Sequence, residues 1–519
     1  MRQPIMPRGL PVFFALLVLG ACSAFSQPAA TPTATATPMP LPSATPTATL
    51  APTATPTATP SPLPSATPTS SPTPSRTPKP TIAPPPSAQL VFDNWELLDL
   101  PDAVREGTGS PLVAFISANR QQTIGNIATA LPFTGVQTLY FASPARAFPR
   151  IPVLELQSAQ LLEVFLAPRG NALAFAREAD SPSQAGLYIF NMNLGLVARV
   201  LPGANPLLQR GIYSEPVFSP DGSQLALTAA MGFDLDIFLV NMRDGSSARI
   251  SHSDAHEFWP SWSPDGRYIA FVSDRAECPT WNPNQPDACD ARRQPPPNSG
   301  QIYLHELASG EATRLSDVKT HEAPSWINES LLAFSSGNPF DLLNPQRRIW
   351  QATIETGEAR ALRLPDDSAT SYVSEAWSPS GIRVLTQLAD TDNRAALLLA
   401  DGTLVAEDFS LAFPRFGMVA DWSPNGGRLA IGGSGGNCPY GVRVKNGAFE
   451  SIANGSPPPT MCDPQYSPDG EYLAFSGVNP RVDGRSDVYV ASTNGFGATS
   501  LTSDLRGQIK LIGWVGGRP

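Results

Sequence analysis

The chain has 519 residues, with 35 basic and 45 acidic side chains and a formal net charge of −10. Arg2, Arg8, Arg76 and Lys79 are the four charged residues of the first 86 positions, so the remainder carries 31 basic against 45 acidic groups, or −14. That balance excludes a nucleic-acid binder and gives no attraction to anionic lipid heads.

The amino terminus reads as a secretory signal. Arg2 and Arg8 precede the apolar run Pro11 to Leu19, which is too short to span a bilayer. Leu19-Gly20-Ala21-Cys22 then resembles the bacterial lipobox, and that resemblance implies that Cys22 is lipidated and becomes the mature amino terminus. Residues 28–86 are almost entirely Pro, Thr, Ala and Ser. Such a composition buries too little apolar surface to fold and predicts an extended tether. At about 3.1 Å per residue it reaches up to roughly 180 Å. The expected division is therefore 1–22 signal and lipobox, 23–87 tether and 88–519 folded domain.

Three strands are expected first, over Pro111–Ser117, Asn126–Ala130 and Thr138–Phe141. From residue 165 onward one pattern recurs: an aromatic residue, usually Ser-Pro-Asp-Gly, then a strand with a central Ala. Pro216-Val-Phe-Ser-Pro-Asp-Gly-Ser-Gln-Leu-Ala-Leu227 and Pro260-Ser-Trp-Ser-Pro-Asp-Gly-Arg-Tyr-Ile-Ala-Phe271 are two copies. The aromatic positions are Phe165, Phe218, Trp262, Trp326, Trp377, Trp422, Tyr466 and Trp514. A period of about 45–50 residues with about four short strands indicates an all-β fold, a single closed β-propeller. Trp514 begins a sheet the chain never completes, so the C-terminal strand is expected to complete the N-terminal sheet and remove both free edges. That gives eight blades, with seven as the alternative. The Asp-Gly pairs read as turn chemistry rather than calcium ligation, since Pro presets φ, Asp bonds the local backbone and Gly accepts positive φ.

These residues resemble the TolB-like family of propellers, whose repeats carry the same Trp-Ser-Pro-Asp-Gly signature. The resemblance covers roughly residues 108–515. It implies a propeller fold and, for part of the family, a periplasmic protein-interaction scaffold. The same repeat also occurs in prolyl-peptidase-like enzymes and some polysaccharide lyases.

An exported chain meets an oxidising compartment, so Cys278 with Cys289 and Cys438 with Cys462 are expected as two disulfides. Zinc spacing is lacking. The tight turns must share one face, which puts the long connections and all four cysteines on the other. An acidic residue precedes the aromatic in every complete repeat: Glu163, Glu215, Glu257, Glu322, Glu375, Asp421 and Asp463. They read either as a solvated rim or as an acidic collar that docks a cation or a basic segment, with Glu215, Glu257, Glu322, Glu375, Asp421 and Asp463 as the partner-binding candidates. His252, His256 and His321 read as exposed loop residues, with a metal site as the alternative. Gly432-Gly-Ser-Gly-Gly436 matches a nucleophile-elbow pattern but lacks the helix that such an elbow needs.

The chain therefore reads as an exported, monomeric lipoprotein on the extracytoplasmic side, held to the membrane through its lipid alone. It is expected to bind a protein or cell-envelope component, with no cofactor, catalytic residue or metal. The alternative is a carbohydrate-active enzyme, a metal-assisted lyase, working in the central channel.

Overall fold

A computed structural model describes residues 110–517, apart from 119–134, 146–149, 158–160, 178–184, 203–213, 291–298, 338–346, 363–371, 389–393, 414–416, 435–442, 453–459, 479–485 and 506. All of them belong to the compact unit Pro78–Pro519. Cys22 and the tether lie outside the described residues.

The described residues form small antiparallel sheets in which sequence neighbours pair. The first contains Leu112–Ala118, Val136–Ala142 and Ile151–Gln157, and its fourth strand is the C-terminal Gln508–Val515. Leu112 pairs with Val515 and Ala118 with Gln508, as the incomplete repeat at Trp514 requires. Val136–Ala142 contains the expected Thr138–Phe141, whereas Ile151–Gln157 is a strand beyond those the sequence predicts. Their buried Leu139, Phe141, Val153 and Leu154 join the core, while the expected strand Asn126–Ala130 lies outside the described residues.

The second to sixth sheets each hold four strands, beginning at Glu163–Leu166, Val217–Phe218, Glu257–Trp262, Ser325–Asn328 and Tyr372–Trp377. Met418–Trp422, Arg428–Gly433 and Arg443–Asn446 form a seventh group, and Cys462–Tyr466 begins an eighth of four strands. One parallel bridge, Gly433 with Cys462, joins these last two. Eight units follow, one per aromatic position.

Apolar clusters occupy every junction. Leu173 and Phe175 pack on Leu139 and Phe141 between the first and second sheets. Corresponding clusters lie between second and third, third and fourth, fourth and fifth, and onward to seventh and eighth. Val113 and Phe115 then pack on Ala474 and Val488, joining the eighth sheet to the first.

The repeat explains this packing. Ala114, Ala174, Ala226, Ala270, Ala333, Ala430 and Ala474 are all inaccessible, and a small side chain there lets neighbouring sheets approach. Leu385, equally buried, takes that place in the sixth sheet. In five sheets the next residue is Phe, stacked on an aromatic directly across the strand pair: Phe115 on Tyr140, Phe175 on Tyr188, Phe271 on Tyr303, Phe334 on Trp350 and Phe475 on Tyr489. Centroid separations of 5.2–6.1 Å suit offset stacking.

Candidate functional site

The Ser-Pro-Asp-Gly turns are self-contained. Gly222 N–H donates to Ser219 O at 2.8 Å with φ at +71°. Asp221 Oδ1 accepts Ser219 Oγ–H at 2.6 Å and Ser223 N–H at 3.0 Å. Asp265 and Asp469 repeat the arrangement. These carboxylates are committed to their own turns.

The repeated Trp has a second task. Its indole N–H crosses to the preceding sheet and donates to the carbonyl of the residue just before that sheet's aromatic. Trp262 reaches Val217 O at 3.1 Å, and Trp326 reaches Ser261 O at 3.0 Å. Trp422 reaches Ala376 O and Trp514 reaches Gln465 O, each at 3.0 Å. Each bond satisfies a part-buried indole donor and ties two neighbouring sheets together.

Trp377 breaks the series. Its counterpart is the Ser325 carbonyl, but its Nε1–H instead donates to Glu375 Oε1 at 3.3 Å, two residues back on its own strand. A cavity of about 350 Å³ lies at this junction of the fifth and sixth sheets. Glu322, Ser325, Phe334, Arg347, Glu375 and Met418 are among the residues lining it. Arg347 grips Glu322 with two bonds, Nε–H to Oε1 at 3.0 Å and Nη2–H to Oε2 at 2.7 Å. Such a fork is the strong geometry for this pair. Glu375 Oε2 is shut off from solvent and has no hydrogen-bond partner. Burial pushes its carboxyl up to about 7, Arg347 opposes the rise, and Glu322 adds to it.

The remaining acids do not form one collar. Glu257 is fully buried, paired with Arg275 and accepting Ser253 Oγ–H, so it lines no mouth. Glu163 is half-buried and Glu215 exposed. Asp421 is pushed up to about 6 by burial and accepts Tyr466 N–H at 2.7 Å. It lines a different cavity, of about 550 Å³, among Trp422, Tyr466 and Trp514. Asp463 is half-buried, with φ at +49°. Of the candidates, Glu322 and Glu375 share a cavity.

The long insert of the fourth sheet is anchored. Cys278 and Cys289 form a disulfide with Cα atoms 5.7 Å apart. Buried Asp274 accepts His256 N–H at 2.8 Å and Trp281 Nε1–H at 2.9 Å, and burial raises its carboxyl to about 7. His256 is buried rather than exposed: its ring stacks on Trp281 and its Nδ1 accepts Leu235 N–H. His252 is exposed and His321 half-buried. Among the described residues no group of three His, Cys, Asp or Glu side chains is placed to hold a metal. Cys462 is disulfide-bonded, and its expected partner Cys438 lies outside the described residues. Ser434 follows a strand and donates its N–H to Gly417 O.

Repeated four-stranded sheets, packed on one another through an apolar cluster at each junction, define a β-propeller. Residues 166–294 match the family model described as TolB beta propeller domain, and over that stretch the chain is similar to TolB-like propellers. It is 25% identical over 163 residues to the uncharacterized peptidase YuxL of Bacillus subtilis, covering 30% of this chain and 22% of that protein. It is 22% identical over 271 residues to the uncharacterized protein Atu1656 of Agrobacterium fabrum, covering 49% of this chain and 83% of that one. The chain thus spans less than a quarter of the length of YuxL. Among solved structures, TolB from Acinetobacter baumannii aligns with TM-score 0.32 and 18% identity over 56% of this chain and 62% of that one. An oligogalacturonate lyase in complex with manganese aligns with TM-score 0.40 and 15% identity over 74% and 98%.

Proposed function

We propose that this propeller is a non-catalytic, extracytoplasmic scaffold that binds a protein or cell-envelope component through the face bearing its long connections. One observation carries this reading. First-to-second-strand turns are short and alike, as from Trp262 to Tyr268 and from Tyr466 to Tyr472. Third-to-fourth-strand turns are equally short, as from Glu306 to Ala312. Antiparallel geometry puts both sets on one face. The other face carries the variable connections, including the disulfide-closed insert between Ser273 and Gly300. Recognition concentrates on such connections when a rigid scaffold holds them.

Photo-crosslinking in the native envelope tests the reading. A crosslinker at exposed Asn284 on the insert is expected to capture a discrete partner, and one at exposed Ala308 on the opposite face is not. Equal capture from both, or from neither, counts against it. Stoichiometric transition metal in the purified protein would favour the lyase reading instead.

Attachment is proposed at Cys22, with residues 23–87 as the spacer. Cys22→Ala is expected to leave the protein exported but free of membranes after carbonate washing, since one short apolar run cannot anchor the mature chain. Retention of that variant in the membrane pellet would argue against lipid anchoring.

A further inference from the structure

We propose that the cavity between the fifth and sixth sheets binds a compact organic cation, an ammonium or guanidinium group, which donates a hydrogen bond to Glu375 Oε2.

Three features converge. The indole latch made by Trp262, Trp326, Trp422 and Trp514 is diverted at Trp377, leaving Ser325 exposed on the cavity wall. The diverted indole occupies only Oε1 of Glu375, and the enclosed Oε2 has no partner. A buried carboxyl oxygen left unpaired is costly, so a donor arriving in the cavity gains more there than at an exposed acid. The charge balance selects the donor's sign. Arg347 and Glu322 are already joined by their two-pronged ion pair, so their charges offset. An anion would meet both Glu322 and Glu375.

The walls select size and shape. Ala323, Ala333, Phe334, Met418 and Val419 offer apolar surface to an alkyl stem. At about 350 Å³ the cavity sits at the small end of ligand pockets, which run from roughly 300 to 1,000 Å³. It holds one small cation or one basic side chain, not a folded segment.

The proton on Glu375 competes with the cation. The charged groups facing it are Glu322, on the connection before the fifth sheet, and Arg347, before that sheet's third strand; Met418–Ala420 of the seventh sheet contribute none. Burial holds the carboxyl neutral up to about pH 7, so the cation must displace a proton.

Calorimetric titration of the full chain tests the assignment. The probes are methylguanidinium, n-butylammonium and the peptides Gly-Lys-Gly and Gly-Arg-Gly, with tetramethylammonium as a control lacking N–H donors. One saturable site is expected, tightening about tenfold from pH 6 to pH 8 and releasing about half a proton per cation at pH 7. Glu375→Gln, an isosteric change that keeps an acceptor for Trp377, is expected to weaken binding at least tenfold and abolish the proton release. Tighter binding of the peptides would identify the source as a partner's basic side chain, and tighter binding of the free cations as a small amine. No saturable binding, equal binding of tetramethylammonium, or unchanged affinity in Glu375→Gln would overturn the proposal. This titration and the crosslinking from Asn284 can fail independently, so the cavity and the partner-binding face are judged separately.

Discussion

Glu375 shows how one side chain redirects a repeat. Wherever its Trp counterpart is free, the indole bonds the neighbouring strand; here a carboxylate two residues away accepts it first. The same carboxyl makes stability depend on pH. Its folded value, about 7, lies above the ordinary 4.5, so the folded state holds a proton that the unfolded chain has lost. Its contribution is therefore full below pH 4.5 and lost as pH rises through 7. The shift corresponds to at most roughly 3 kcal/mol. Glu375→Gln stays neutral and is expected to be more stable than the parent at pH 8 by on the order of 1–3 kcal/mol, with little difference at pH 4.5. Urea unfolding at the two pH values checks this, and equal differences at both would refute it.

At the scale of strands and loops, the repeat announces itself in the sequence because the turn chemistry is local. Asp221, Asp265 and Asp469 close their turns with atoms at most a few residues away. The Cys278–Cys289 closure was legible for the same reason. The acids preceding each aromatic were not, because bulges decide where they aim. Pairing slips between Phe258 and Ser261, beside Trp259 at φ +56°, and Glu257 ends inside an ion pair. It slips again between Cys462 and Gln465, beside Asp463 at φ +49°. Between Tyr372 and Ser374 a further slip precedes Glu375. Spacing in sequence cannot report such register changes. The Phe after five of these Ala residues was also in view, but its cross-strand aromatic partner emerges only with pairing. For the insert, Cys278→Ser with Cys289→Ser is expected to cost about 3 kcal/mol on the chain-entropy account. Asp274, His256 and Trp281 should still hold the loop's base, so hydrogen exchange should rise in residues 282–290 and not at Trp281. Protection lost equally at both would show that the disulfide alone orders the insert.

Over the whole molecule, several buried acids act together. Burial raises Asp236 to about 8, Asp274 and Glu375 to about 7 and Asp421 to about 6. Each favours the folded state at lower pH and loses that contribution as pH rises through its folded value. Asp221 and Asp408, held below the ordinary range, act oppositely, and their contribution falls only below pH 3.8. The melting temperature is therefore expected to climb as pH falls from 8.5 to about 5, and a flat or falling profile would contradict the buried-acid account. The ends of the chain matter to every unit as well. Removing residues 508–519 deletes Ile509, Leu511 and Val515 from two apolar clusters and bares one edge of Leu112–Ala118. That truncation is expected to yield little folded protein or to lower the melting temperature by more than 10 °C, on a scale of about 2–4 °C or less per kcal/mol for a unit of this size. An unaltered melt would show that the C-terminal strand is dispensable.

The pairing of Leu112 with Val515 also fixes a timetable. Chains emerge amino end first at about 5–20 residues per second, so roughly 400 residues and some 20–80 s separate the two strands at birth. Throughout that interval Leu112–Ala118 has no neighbour on one side, and its row of amide and carbonyl groups is an open template for any passing chain. The first sheet to be made is the last that can be finished. Nascent copies crowded together are thus most exposed to mispairing at their oldest segment, and the hazard ends only when the final strand arrives.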